Sequence, residues 1–238
     1  MNRAMIVLCA RRRAALWLLG IVLASGPAFA TELEEILADF DKVQGSIQTL
    51  SAEFVETTTH AMLMDPIVAE GRFFLTKPDS IRWEYSHPEE MRFVIASDRY
   101  TGYYPGRKTA ETRNVQRWSE HLFRFFGLGQ GSAELSRFYR IELGQTDETG
   151  AFLLLLEPRK KRARKHVEQV RFLLDASTYL PRRIVYGGKS GNGRVIEFRS
   201  IQVNPDLSAG LYDVDLPSDV TVTKGFSGLP GFDPDSAQ

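Results

Sequence analysis

The chain has 238 residues, 43% hydrophobic and 25% charged, which suits a folded globule and excludes a disordered or collagen-like polymer. Its 30 basic and 30 acidic residues balance only because four arginines sit in the first thirty positions, where no acid occurs. The remaining residues carry 26 basic against 30 acidic groups, a net charge of about −4, so they lack the basic surplus of a nucleic-acid binder.

Arg3, Arg11, Arg12 and Arg13 precede an apolar run from Ala14 to Ala24, which Gly26 and Pro27 break ahead of Ala28-Phe29-Ala30. Positive flank, short apolar run and A-x-A site are the parts of a cleaved export signal over residues 1–30. The run falls short of the roughly 20 residues that span a bilayer. Cys9, the only cysteine, would leave with this segment, so the mature chain has no disulfide or thiolate chemistry and no lipidated cysteine of its own. Residues 31–238 suit a single domain able to bury about 70% of its unfolded surface without a metal or disulfide.

Thr31-Glu32-Leu33-Glu34 has the form of a capping box. Leu33, Ile36, Leu37, Phe40 and Val43 follow at helical spacing, which predicts a helix from about 32 to 45 with Gly45 as its stop. Strand signals then take over in Leu50–Thr59, Val68–Thr76, Ser80–Tyr85, Met91–Ser97, Tyr100–Tyr104 and Arg107–Arg113, separated by turns at Lys77-Pro78-Asp79, His87-Pro88, Asp98-Arg99 and Pro105-Gly106. Trp118, Leu122, Phe125 and Phe126 share a helical face, and a second short helix is expected over Ala133–Phe138. Strands resume in Tyr139–Leu143, Ala151–Glu157, His166–Asp175, Tyr179–Tyr186 and Arg194–Val203, and Leu211–Thr223 closes the series before a tail that frays after about 224. The pattern predicts a mainly β, α+β fold: an open, curved antiparallel sheet of about eleven strands, with the N-terminal helix and a central helical insertion over its concave side.

Enzymatic patterns are missing. Gly188-Lys189-Ser190 looks like the end of a phosphate loop, but Arg183 stands where the first glycine belongs, so a hairpin turn is the better reading. No G-x-S-x-G elbow occurs, and His60, His87, His121 and His166 lack metal-ligand spacing. No cofactor is implied. The run Arg159, Lys160, Lys161, Arg162, Arg164 and Lys165 reads either as a solvated hairpin loop or as a docking patch for an acidic partner or anionic membrane.

The stretch Gly71-Arg72-Phe73-Phe74-Leu75-Thr76-Lys77-Pro78-Asp79-Ser80-Ile81-Arg82-Trp83-Glu84-Tyr85 resembles the signature of the LolA family of periplasmic outer-membrane lipoprotein carriers. Pro88, Ser97-Asp98 and Tyr103-Tyr104-Pro105 continue that likeness, Leu50-Ser51-Ala52-Glu53-Phe54 is similar to the family's first strand, and Leu216-Pro217-Ser218-Asp219-Val220 to its last segment. The resemblance implies a half-closed barrel lidded by helices, located in the periplasm and acting as a monomer. It implies an acylated lipoprotein or lipid cargo, an inner-membrane ABC transporter as donor and an outer-membrane acceptor. It leaves two alternatives: a carrier of another lipid or acylated molecule, and a regulatory module that senses lipoproteins.

Strand alternation proposes the lining. Phe73, Leu75, Ile81, Trp83, Tyr85, Phe93 and Ile95 would face the concave side, with Arg82 and Glu84 toward water, and Leu122, Phe125 and Phe126 would form the underside of the lid. A packed core and an acyl-binding cavity look alike at this level. At Lys77 the family usually has an arginine that latches the empty, closed state; a lysine offers a point charge rather than a planar fork. Lys77 is therefore either a weaker latch or a solvent-facing residue before a Pro turn.

Overall fold

The computed structural model describes residues 28–116, 131–165, 167–187 and 192–226. Among the described residues two α-helices, α1 (Ala28–Ser46) and α2 (Ser132–Phe138), accompany twelve strands. These are β1 (Thr49–Thr59), β2 (Ile67–Thr76), β3 (Ser80–His87), β4 (Met91–Ala96), β5 (Arg99–Tyr104), β6 (Thr109–Asn114), β7 (Tyr139–Gly144), β8 (Ala151–Pro158), β9 (Gln169–Asp175), β10 (Pro181–Gly187), β11 (Gly193–Val203) and β12 (Thr221–Lys224).

All twelve strands form one open sheet in the order β12-β6-β5-β4-β3-β2-β1-β11-β10-β9-β8-β7. Two antiparallel meanders, β1–β6 and β7–β11, meet along the β1/β11 seam, where Phe54 stands opposite Phe198. The fold class expected from the sequence is the one observed. Its last strand is different: residues Ala209–Tyr212 make a 3-10 turn, and only Thr221–Lys224 is extended, pairing parallel to β6. Pro217 has no N–H to give a ladder, which keeps the preceding stretch out of the sheet.

Other boundaries moved for local reasons. Helix α1 begins at Ala28, so Thr31 lies inside it rather than at its N-cap, because Ala28-Phe29-Ala30 contains no helix breaker. Strand β10 starts at Pro181 rather than Tyr179, because the Asp175 carboxylate accepts from the Ser177 and Thr178 amides and folds a turn that puts Tyr179 at φ 54°. Lys108, at φ 51°, closes a 3-10 turn after Pro105, so β6 starts at Thr109. His166, residues 1–27 of the expected export signal and the Gly188-Lys189-Ser190 stretch expected to turn lie outside the described residues.

The concave face carries one continuous core. Phe54, Phe73, Leu75, Ile81, Trp83, Ile95, Phe172, Leu174 and Ile196 pack there beneath Ile36 and Phe40 of α1. Part of the convex face is covered too, which strand alternation did not anticipate. Val94, Tyr103 and Leu173 are buried on it, and Arg82 and Glu84 are only 14% and 16% exposed rather than facing water. Arg82 donates through Nη1 to the Leu211 carbonyl at 2.6 Å and through Nη2 to Glu84 Oε1 at 2.6 Å, while the Tyr212 and Thr76 hydroxyls meet at 2.7 Å. The 3-10 turn is thereby strapped across the back of β3 and β4.

Candidate functional site

Register brings the predicted lining together. Phe73 pairs with Trp83 and Trp83 with Phe93; Leu75 pairs with Ile81, Ile81 with Ile95 and Ile95 with Tyr100. Period-two alternation puts all of these on the concave face. Each of the seven predicted residues, Phe73, Leu75, Ile81, Trp83, Tyr85, Phe93 and Ile95, is at most 4% exposed. Their rings interlock, with the Trp83 centroid 4.6 Å from Phe54 and 4.8 Å from Phe73, and Tyr85 edge-on to Phe54 at 5.1 Å. In this conformation the face is filled by its own side chains and by α1. The lid residues Leu122, Phe125 and Phe126 lie outside the described residues.

Lys77 sits where this face meets the end of α1. Its Nζ donates to the Gln44 carbonyl at 2.7 Å, and its backbone N–H donates to the Gln48 carbonyl at 2.8 Å. The last carbonyls of a helix carry partial negative charge, so an ammonium is well placed there. Burial lowers the Lys77 pKa below its ordinary value, against the raising influence of the Glu134 carboxylate on α2. Asn204, at φ 56°, ties the same corner: its Oδ1 accepts from the Gln48 and Thr49 amides and its Nδ2 donates to the Ser46 carbonyl at 3.0 Å. Elsewhere α1 is held by Asp41, whose carboxylate accepts the Ser132 hydroxyl at 2.7 Å, and by Asp39, which accepts the Tyr179 hydroxyl at 3.1 Å.

The other end of the concave face is polar inside. Glu56 of β1 and Arg194 of β11, 5% and 6% exposed, form an ion pair through Arg194 Nη2. The Tyr85 hydroxyl donates to Glu56 Oε2 at 2.6 Å, Arg194 Nη2 donates to the Tyr85 hydroxyl oxygen at 3.2 Å, and Thr58 Oγ1 donates to Glu56 Oε1 at 3.2 Å. Burial, foremost, pushes the Tyr85 pKa well up, against the lowering influence of the Arg194 guanidinium and with the raising influence of the Glu56 carboxylate. The sequence reading named Tyr85 but missed its two charged partners. The signal available was the inward parity of both: Glu56 lies two residues from Phe54, and Arg194 two from Ile196.

Above this cluster the β1–β2 hairpin exposes apolar side chains: Met62 is 84% and Met64 100% exposed, with Leu63, Ile67 and Val68 also exposed. The basic run lies at the same end, between the end of β8 and the start of β9. Two of its members bond to backbone carbonyls while remaining exposed. Arg159 Nε donates to the Ser136 carbonyl at 2.8 Å and Arg164 Nε to the Pro158 carbonyl at 2.7 Å. Lys160, Lys161 and Arg162 are exposed, and the Lys165 side chain lies outside the described residues. Among the described residues no group of three His, Cys, Asp or Glu side chains could hold a metal, and no helix is long and apolar enough to cross a membrane.

An uncharacterized conserved protein from Thermus thermophilus superposes with a TM-score of 0.52 at 14% identity, over 82% of this chain and 99% of that one. The LolA superfamily protein NE2245 from Nitrosomonas europaea gives 0.42 at 10% identity, over 76% of this chain and 97% of that one. A chain of the Pseudomonas aeruginosa MucA/MucB complex gives 0.48 at 13% identity, over 77% of this chain but 61% of that one. No curated protein sequence matches the chain. The family described as outer membrane lipoprotein carrier protein LolA matches residues 45–215, from the end of α1 through the turn that straps the convex face. With well over half of its length inside that match, the chain belongs to the LolA family.

Proposed function

We propose that the protein is a periplasmic carrier that holds the acyl chains of lipoproteins against its concave face and moves them from an inner-membrane ABC transporter to an outer-membrane acceptor. The observation that supports this most is the roof. A concave face lined by Phe73, Leu75, Ile81, Trp83 and Ile95 is covered by α1, and the C-terminal end of α1 is tied beside it by the ammonium of Lys77 and the side chain of Asn204. An acyl chain of about 16 carbons left in water forgoes roughly 0.8 kcal/mol per CH₂, about 12 kcal/mol in all. A roof that closes on its own core when empty recovers apolar contact on release, which offsets much of that cost. The rim bearing Met62, Met64, Lys160, Lys161 and Arg162 is the docking end.

The test is to isolate the mature protein from the periplasm without detergent and identify what co-purifies by mass spectrometry. Triacylated lipoproteins in stoichiometric amount are expected. Glycolipid or free lipid instead would replace the cargo, and an empty protein that also takes up no lipoprotein in vitro would end the carrier reading in favour of a sensor. Ile81→Glu places an unpaired carboxylate on the face and should weaken acyl binding by more than about 1 kcal/mol. Unchanged binding would put the acyl chains on another surface.

A further inference from the structure

Arg194 is a costly residue in its position. It is 6% exposed and surrounded by Glu56, Tyr85 and Tyr186, all similarly buried. Only Nη2 of its guanidinium is engaged, with Glu56 and the Tyr85 hydroxyl. Nε and Nη1 have no hydrogen-bond partner among the described residues. Buried donors without partners are rare because each loses its hydration without return, and a charged group loses most. A hydrophobic pair of the same size would hold β1 to β11 at least as well. The open donors therefore point to a ligand.

Two features define what that ligand presents. Charge is the first: the Glu56 carboxylate already balances the guanidinium, so an added anion would leave a net negative charge in a buried site. A neutral acceptor adds none. Direction is the second. A carboxylate or phosphate is chelated along an edge that Nη2 shares with Nε or with Nη1, and Nη2 is occupied. Nε and Nη1 lie on different edges, so they suit two separate single acceptors. Beside them, Phe54 and Phe93 flank Tyr85 and begin the apolar floor, which runs on through Trp83 and Phe73 to Leu75.

On the carrier reading above, on which this rests, we propose that Arg194 reads the ester carbonyl oxygens that join acyl chains to their headgroup. The chains then lie with their carbonyls at the Glu56–Arg194 end and their tails toward Lys77. Glu56 and Tyr85 hold the guanidinium in place, and selectivity is for acyl esters over chains of equal length without the carbonyl.

The experiment compares 1,2-dioctanoylglycerol with its di-O-octyl ether analogue, binding each to delipidated mature protein and following tryptophan fluorescence. The two differ in the carbonyls alone. One to two neutral acceptors given to a buried guanidinium should favour the ester by about tenfold. In the Glu56→Gln/Arg194→Met double variant, which removes both charges together, the preference should fall to within about twofold while the ether binds as it does to the parent. Equal binding of ester and ether by the parent overturns the Arg194 assignment and leaves the carrier reading standing; this arm needs no variant to fold. A preference that survives in the double variant also overturns the assignment. Failure to bind either lipid overturns the carrier reading, and the Arg194 proposal with it.

Discussion

The two ends of the concave face are built on opposite principles. At the Lys77 end, backbone carbonyls and amides of α1 and β1 are satisfied one by one: Gln44 and Gln48 by Lys77, Ser46, Gln48 and Thr49 by Asn204. At the Glu56 end, a buried ion pair has donors to spare, and the hairpin above it leaves Met62 and Met64 in solvent. One end is finished within the chain. The other has unmet hydrogen bonds inside and unmet apolar surface outside, the two kinds of deficit that a ligand or partner removes.

The largest effect is expected where that deficit is made worse. Glu56→Leu leaves Arg194 buried without its counter-charge and should lower stability by about 3–5 kcal/mol in urea unfolding. Adding Arg194→Met should restore most of it. Without such a rescue, Glu56 would matter through packing rather than charge. Gly71 comes next, at the register irregularity between β2 and β3. A Cβ there would lie 1.8 Å from the Glu84 carbonyl oxygen and 2.8 Å from the Phe54 ring, so neither backbone nor core has room. Gly71→Ala should cost about 1–3 kcal/mol, and more if the two strands separate. Near-parental stability would mean that β3 can shift without loss.

Much of this was legible because one physical rule covers it. Alternation in Ser80–Tyr85 and Met91–Ser97 puts Ile81, Trp83, Phe93 and Ile95 on one face, and the sheet buries them there. Arg82 and Glu84 escaped the rule because their cover comes from residues 209–213, more than a hundred positions away, and alternation carries no information about what crosses the far face. The Glu56–Arg194 pair joins strands 138 residues apart, and an inward-facing acid is indistinguishable from an outward one until register is known. Lys77 was found through the family pattern, but its carbonyl partner depends on where α1 ends. The parallel pairing of β12 had no signal at all in a chain of consecutive hairpins.

At the finished end, Lys77→Ala should cost about 1.5 kcal/mol through the loss of a charge-assisted bond to a helix carbonyl, and should speed acyl uptake if α1 is the moving roof. Parental uptake rates would assign Lys77 to stability alone. The same residue predicts a pH effect. Its pKa is lowered in the folded protein, so in the range just below the ordinary lysine value of 10.5 the unfolded chain binds more protons than the native one. Stability linked to Lys77 therefore rises with pH across that range and is flat well below it. The difference between parent and Lys77→Ala unfolding free energies should follow this course, because tyrosine ionisation is common to both proteins. A difference that is constant from neutral pH to 10.5 would mean that Lys77 is solvated as an ordinary surface lysine.

The smallest effect on stability is expected at the hairpin, where the comparison is sharpest. Met62, Leu63 and Met64 contribute no core area, so replacing all three with serine should leave the unfolding free energy within about 0.5 kcal/mol of the parent. A cluster of exposed apolar side chains such as this is typical of surfaces that a partner or a membrane covers. The triple variant should therefore bind free dioctanoylglycerol as the parent does, since the concave face is untouched, yet take up lipoprotein more slowly from membrane vesicles that contain it. Slower uptake with intact lipid binding places the hairpin in docking and separates the two deficits of this end, one met by cargo and the other by a surface. Unchanged uptake would leave Lys160, Lys161 and Arg162 as the docking contacts, and their replacement by glutamine would then be the informative variant.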